Sequence, residues 1–406
     1  MTDVRRVMAG RAIRGAADGF VSVLLAQYLT DLGLSPFEVG AVITATLLGS
    51  AALTLAVGLL GSHRELSRLL MASCVLMMMT GVGFALSPAF WALVLVATIG
   101  TLNPSAGDVS VFLPLEQAFL ADRVAPADRP RTYAIYNLGG VLAGALGALA
   151  SGLPARVTHA TGWRLTSVER IGFMAYAVAA LAILSIYRTI ETVRASGVPA
   201  LRASTSVTRR SLGPSRPMVL RLAALFSLDS AGSGFVVTSL LVLWLHLRFH
   251  LSRGQTASVF FAAGLLGATS QLLAPVMARR VGLVRTMVFT HVPANVLLGA
   301  AAFAPNGAAA VSLLLVRSLF AQMDVPARQA FVMGVVAPAE RAAASSITNV
   351  PRSLASATTP LLAGAMLSRS TFGWPLLIAG ASKLSYDLIL LVLYRNVAEA
   401  HESQVP

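Results

Sequence analysis

A helix that crosses the hydrocarbon core of a bilayer needs about 20 mainly apolar residues. This chain carries such runs one after another along its length, at 12–32, 37–60, 66–86, 90–120, 132–153, 168–187, 219–247, 256–278, 284–303, 308–336, 342–367 and 374–394. A soluble fold cannot bury that much apolar chain, so most of its surface must face lipid. Only 12% of the residues are charged, against about 25% in an ordinary soluble domain. The fold class that follows is an all-α membrane protein of twelve transmembrane helices. The runs at 90–120 and 308–336 are longer than a bilayer needs. Each is expected to extend beyond the membrane, or to break near Pro104, Pro114 or Pro326.

The net charge is +14, from 31 Lys and Arg against 17 Asp and Glu. The positive-inside rule sorts these cations. With the N-terminus in the cytoplasm, 21 of the 31 fall in inward segments. The outward loops hold Arg156, Arg164, Arg170, Arg248, Arg253 and Arg369. Arg317, Arg328, Arg352 and Lys383 remain inside the runs. The bias puts both termini in the cytoplasm. It also reads the arginine surplus as basic membrane loops and leaves no need for a nucleic-acid surface. The one cysteine, Cys74, allows neither an internal disulfide nor a thiolate metal cluster. No small-residue cleavage site precedes the first apolar run, so a removable signal peptide is not expected. The stretch 191–217 is rich in Ser, Thr, Pro and Arg and has no apolar run. It reads as a basic cytoplasmic linker between a six-helix unit at 1–190 and a second at 218–406.

The two units repeat one another. A shift of 212 positions lays Gln117-Ala118-Phe119 on Gln329-Ala330-Phe331. The same shift lays Val124-Ala125-Pro126-Ala127-Asp128-Arg129 on Val336-Ala337-Pro338-Ala339-Glu340-Arg341, Pro114 on Pro326 and Gly152 on Gly364. Nearer the start of each unit the shift grows to 217, which lays Leu34-Ser35 on Leu251-Ser252. Duplicated halves related by an axis along the membrane normal are a transporter architecture, with the substrate between them near the midplane.

Twelve helices, a six-plus-six division, a basic central loop and a parallel repeat together resemble the major facilitator superfamily (MFS) over nearly the whole chain. The family's turn between helices 2 and 3, G-x-L-a-D-r-x-G-r-k, is matched at 58–68 by Gly58, Leu60 and the trailing Arg68. Ser62 stands in the acidic place and Glu65 in that of the second glycine. Its repeat between helices 8 and 9 keeps Arg280 and Gly282 and puts Arg279 in the acidic place. The resemblance implies tight cytoplasmic turns that gate the cavity. The acid that takes part in the family's charge lock is replaced in both turns. The antiporter motif g-x-x-x-G-P-x-x-G is approached by Gly140, Gly144 and Gly147, with Ala145 where proline belongs. Those glycines serve either an antiporter signature or close helix packing. The family's l-x-x-x-R pattern appears in the tenth run as Leu313-Leu314-Leu315-Val316-Arg317. The segments 103–108 and 323–329 look like a microbial branch of the family.

Charge at bilayer depth costs at least a few kcal/mol, so each such residue faces a partner or a water-filled path. Asp18 and Asp229 lie in helices 1 and 7, which line the central cavity in the family. Either can carry a coupling proton; alternatively, Asp18 pairs with Arg14 one turn away. Asp229 has no cation at helical spacing. Arg317 lies midway along its run with no acid within four residues, and suits an anionic substrate group. Arg352 is a second candidate of that kind. Asp324 and Arg328 form an i,i+4 pair, and the repeat offers Glu116 to Arg328 as a contact between halves when the inner gate closes. Lys383 and Asp387 are four apart and read as a self-contained pair. Asp108 lines the cavity or marks a kink. His246 and His250 are too few for a metal site, and ATP-binding and hydrolase motifs do not appear.

The expectation is a non-enzymatic secondary transporter without cofactors. It is a monomer of the bacterial inner membrane, exporting a small organic compound on a proton gradient by alternating access. An organic-anion transporter using Arg317 and Arg352 is the alternative. A non-transporting sensor or scaffold on the same fold is the third reading.

Overall fold

The computed structural model describes residues 3–60, 66–105, 110–125, 128–190, 215–336 and 340–402. The linker core at 191–214, the turn at 61–65 and Asp108 lie outside the described residues. The helices of the first half are α1 (Asp3–Asp31), α2 (Pro36–Leu60), α3 (Leu66–Leu86), α4 (Phe90–Ile99), α5 (Phe112–Arg123), α6 (Arg129–Ala150), α7 (Leu153–Thr161) and α8 (Leu165–Tyr187). Those of the second are α9 (Arg216–Phe235), α10 (Thr238–Phe249), α11 (Arg253–Val281), α12 (Leu283–Ala301), α13 (Gly307–Ser318), α14 (Asp324–Val335), α15 (Arg341–Arg369) and α16 (Trp374–Glu402). They form twelve spanning segments in two bundles of six. The pairs α4–α5, α9–α10 and α13–α14 each make one segment, and α7 is a short extension of α6.

Among the described residues, seven helices are each long and apolar enough to cross a bilayer, and the pair α9–α10, bent by 41°, makes an eighth. The other four segments are α1, α4–α5, α13–α14 and α15. Breaks interrupt two of them, α1 carries Arg14 and Asp18, and α15 holds Pro351 and Pro360.

The breaks are placed by backbone chemistry. Pro104 lies in the gap between α4 and α5, whereas Pro114 and Pro326 sit in the first turns of α5 and α14. There a missing N–H costs nothing, because the first turn has no acceptor for it. The tenth segment therefore breaks at 319–323, ahead of Pro326 rather than at it. The seventh segment also bends, at Val236–Val237, which no proline announces. Ser252 and Gln255 form a capping box that starts α11. Gly282, at φ +86°, turns the chain between α11 and α12.

Small residues set the closest approaches. A Cβ on Gly15 would lie 2.5 Å from the carbonyl oxygen of Gly140, one on Gly19 2.0 Å from that of Gly144, and one on Gly147 1.9 Å from that of Ala16. The glycines of the antiporter-like stretch are thus the packing surface of α6 on α1. Two further contacts join the halves. Gly40 of α2 meets Pro360 and Gly364 of α15, and Gly152 meets Gly254 and Ala257 of α11. Gly152 and Gly364 are repeat equivalents, so the duplication built both seams.

Candidate functional site

Apart from Glu169, the buried ionisable groups among the described residues gather in one cluster per half. In the first half, Arg14 of α1 is 1% exposed and Glu116 of α5 fully buried. Arg14 donates to Glu116 Oε2 at 2.6 Å, to Ser110 Oγ at 3.1 Å and to the Tyr136 hydroxyl at 3.3 Å. Its guanidinium lies over the Phe112 ring. Glu116 also accepts from Tyr136 and, at 2.6 Å, from Tyr187. Ser110 reaches Arg14 because the fourth segment is broken just before α5. Asp18, one turn from Arg14, accepts a long 3.5 Å bond from Tyr176.

The second cluster centres on Asp229 of α9. Lys383 Nζ of α16 lies 2.7 Å from Oδ1 and Arg328 Nη1 of α14 lies 3.1 Å from Oδ2. Arg328 also pairs with Asp324 at 3.3 Å. His291 of α12 stands between two carboxylates. Its Nδ1 is 2.9 Å from Asp387 Oδ1 and its Nε2 3.8 Å from Asp229 Oδ1. Asn295 donates to Asp387 at 2.9 Å. Arg352 of α15 closes the cluster by donating to Ser230, next to Asp229, at 2.9 Å.

The two clusters are repeat images with their charges exchanged. The register that lays Gly19-Phe20 on Gly234-Phe235 lays Arg14 on Asp229, and the shift of 212 lays Glu116 on Arg328. In each half, the first spanning segment pairs with the fourth. The sign of both partners is reversed between halves.

This geometry bears on four expectations. Among the described residues, Arg14 forms its ion pair with Glu116 and not with Asp18. Lys383 and Asp387 do not pair with each other: Lys383 holds Asp229, while Asp387 takes His291 and Asn295. In this arrangement Glu116 and Arg328 are each bound within their own half, and a contact between them belongs to the state with the inner gate closed. Intramembrane cations are not confined to the second half, since Arg11 and Arg14 are buried in α1. A common cause lies behind these changes. An i,i+4 neighbour is only one candidate partner, and a helix face turned inward meets charges from other helices.

Arg317, in the last turn of α13, has a buried Nε without a hydrogen-bond partner among the described residues. It forms no ion pair there. Gly58 lies in the last turn of α2 and Arg68 in the first turn of α3. Arg279 is exposed at the end of α11, beside Gly282.

One site escaped the sequence altogether. Arg253, at the start of α11, meets Asp31 at the end of α1 and, through Nε, lies 3.4 Å from the fully buried Glu169 of α8. Nearby, Ser239 of α10 donates to Ser22 of α1 at 2.6 Å and to Pro104 at 3.1 Å, and Thr238 donates to Ser105 at 3.1 Å. These bonds join the halves from mid-depth to the face opposite the chain termini. In the sequence Arg253 reads as a loop cation, and its partners are more than 80 positions away.

The family model described as Major Facilitator Superfamily matches residues 7–322. The uncharacterized membrane protein YJR124C of Saccharomyces cerevisiae is 24% identical over 97% of this chain and 94% of its own length. The D-xylose–proton symporter structure superposes with a TM-score of 0.75 at 16% identity, covering 96% of this chain and 97% of the other. That of the human organic anion transporter MFSD10 gives 0.64 at 18% identity, covering 95% and 98%.

Proposed function

The chain belongs to the major facilitator superfamily, and we propose that it is a secondary active transporter, exporting a small organic compound on a proton gradient by alternating access. The charge-swapped clusters carry this reading. Each ties the first spanning segment of a half to its broken fourth segment. Ion pairs at that depth are costly to keep, and a scaffold has no use for them. Broken segments place polar backbone where it lines a path between halves.

With the termini in the cytoplasm of a bacterium and the basic linker at 191–217 between the units, the joined face is the outer one. The arrangement is then inward-facing. The contacts of Arg253 with Asp31 and Glu169 form an outer latch that opens as the halves rock. The turn at 58–68 and the one at Arg279 and Gly282 act as inner hinges, and the Asp324–Arg328 pair acts as a gate contact. Coupling rests on the buried ionisable groups, Asp18 in the first half and the Asp229 network in the second. In proteoliposomes, compound flux should follow an imposed pH gradient in sign and size. Flux that ignores the gradient removes proton coupling.

A second reading, transport of an organic anion, is favoured by Arg317. A buried guanidinium nitrogen without a partner is ready to donate to a carboxylate or phosphate, and Arg352 is a second cation within the spanning segments of the same half. Arg317→Ala should then weaken anion binding at least tenfold. Unchanged anion affinity retires the reading.

A further inference from the structure

We infer that His291 is the residue that takes up and releases the coupling proton, and that this proton fastens α9 to α12. The inference rests on the proton-coupled reading and assigns its carrier. His291 is the one buried group of the second cluster whose ordinary titration range spans neutral pH, and its two ring nitrogens face carboxylates on two different helices. Nδ1 addresses Asp387 of α16 at 2.9 Å and Nε2 addresses Asp229 of α9 at 3.8 Å. A neutral imidazole carries one N–H and can serve only one of them. The imidazolium serves both.

The surrounding charges fit a two-state cluster. Asp229, Asp324 and Asp387 face Arg328, Lys383 and His291 in direct ion pairs. These six ion-paired groups balance when His291 is protonated, and with Arg352 at the rim counted the cluster is neutral when His291 is not. Tyr386 of α16 sets its ring edgewise to the imidazole at 6.1 Å, and Asn295, one turn along α12, lies within reach of both His291 and Asp387. Arg352 of α15 adds positive charge at the rim through Ser230. Among the described residues, α11 and α13, which also pack on α12, offer His291 no ion pair or hydrogen bond.

The route to the interface is short. α9 continues through the 41° bend into α10, and α10 bonds to Ser22 of α1 and to Pro104 and Ser105 of the fourth segment. A proton on His291 holds Asp229, and with it α9, against α12. Its loss releases Asp229 to Lys383 and Arg328 alone and frees α9–α10 to move relative to the first half.

The test uses the full chain in lipid nanodiscs with spin labels at Arg188→Cys and Arg280→Cys, two exposed positions on the face that carries the termini. The label-to-label distance should change between pH 5 and 8, and His291→Gln should hold it fixed. In the same pH range, a histidine-ring NMR resonance that disappears in His291→Gln should titrate with the same midpoint. Asp387→Asn, which retains the histidine, should displace that midpoint. A pH-dependent distance that persists in His291→Gln, or a midpoint unmoved by Asp387→Asn, overturns the assignment and leaves proton coupling standing. A wild-type distance and compound flux that both ignore pH remove the coupled reading itself.

Discussion

At the scale of residues, the pairings were the part that sequence spacing could not reach. Asp324 and Arg328 are four apart and do meet, at 3.3 Å. Arg14 and Asp18 have the same spacing, yet Arg14 pairs with Glu116, 102 positions away. Asp229 finds Lys383 at a separation of 154. Helical neighbours compete with every charge that another helix presents to the same buried face, and a single sequence does not say which faces meet. His291 shows the remaining limit. One histidine in an apolar run, with Asn295 a turn later, is a weak signal until Asp229 and Asp387 arrive from α9 and α16. The pair Arg14–Glu116 yields a direct prediction. Arg14→Met should lower stability by about 3–5 kcal/mol, because it strands a fully buried carboxylate. Adding Glu116→Leu should recover part of that loss. Thermal unfolding of the four proteins of this cycle in nanodiscs checks both statements.

Elements were more legible than contacts. The run at 66–86 coincides with α3, and the over-long fourth and tenth runs both break. The bend between α9 and α10 was not foreseen, since a β-branched Val236–Val237 step carries no breaking residue. The glycines were visible, but their purpose was not, because close packing and an antiporter signature share one spacing. Their contacts now separate the outcomes of substitution. Gly19→Ala and Gly147→Ala place a methyl about 2 Å from the backbone of the facing helix, so both should sharply reduce the yield of folded protein. Gly139→Ala meets nothing within 4 Å and should be neutral or stabilise by up to about 1 kcal/mol through helix propensity. Size-exclusion profiles and melting temperatures distinguish them. Equal tolerance of all three would show that α1 and α6 do not pack this way.

For the whole molecule, duplication explains the most. The repeat register predicted two equivalent halves. The structure adds that Gly152 and Gly364 form matching seams and that the buried pairs occupy equivalent positions with opposite sign. The halves are held together at one face by Arg253, Asp31 and Glu169. Arg253→Gln leaves both carboxylates without their cation and should favour opening of that face. Ser22, fully buried beneath the latch, offers the readout. In a Ser22→Cys background, Arg253→Gln should raise maleimide labelling about 5- to 30-fold, the population shift that 1–2 kcal/mol produces. Unchanged labelling would mean that the glycine seams alone keep the face shut.

Alternating access itself is tested most directly by measuring both faces of one protein at once. One spin-label pair, Arg188→Cys with Arg280→Cys, reports the face of the chain termini. A second, Arg156→Cys with Ser258→Cys, reports the opposite face; all four positions are exposed. Pulsed dipolar spectroscopy in nanodiscs between pH 5 and 8 should find two populations whose distances move in opposite directions, one face opening as the other closes. Distances that stay fixed at both faces, or that widen and narrow together, would contradict a transporter whose halves rock about a central site.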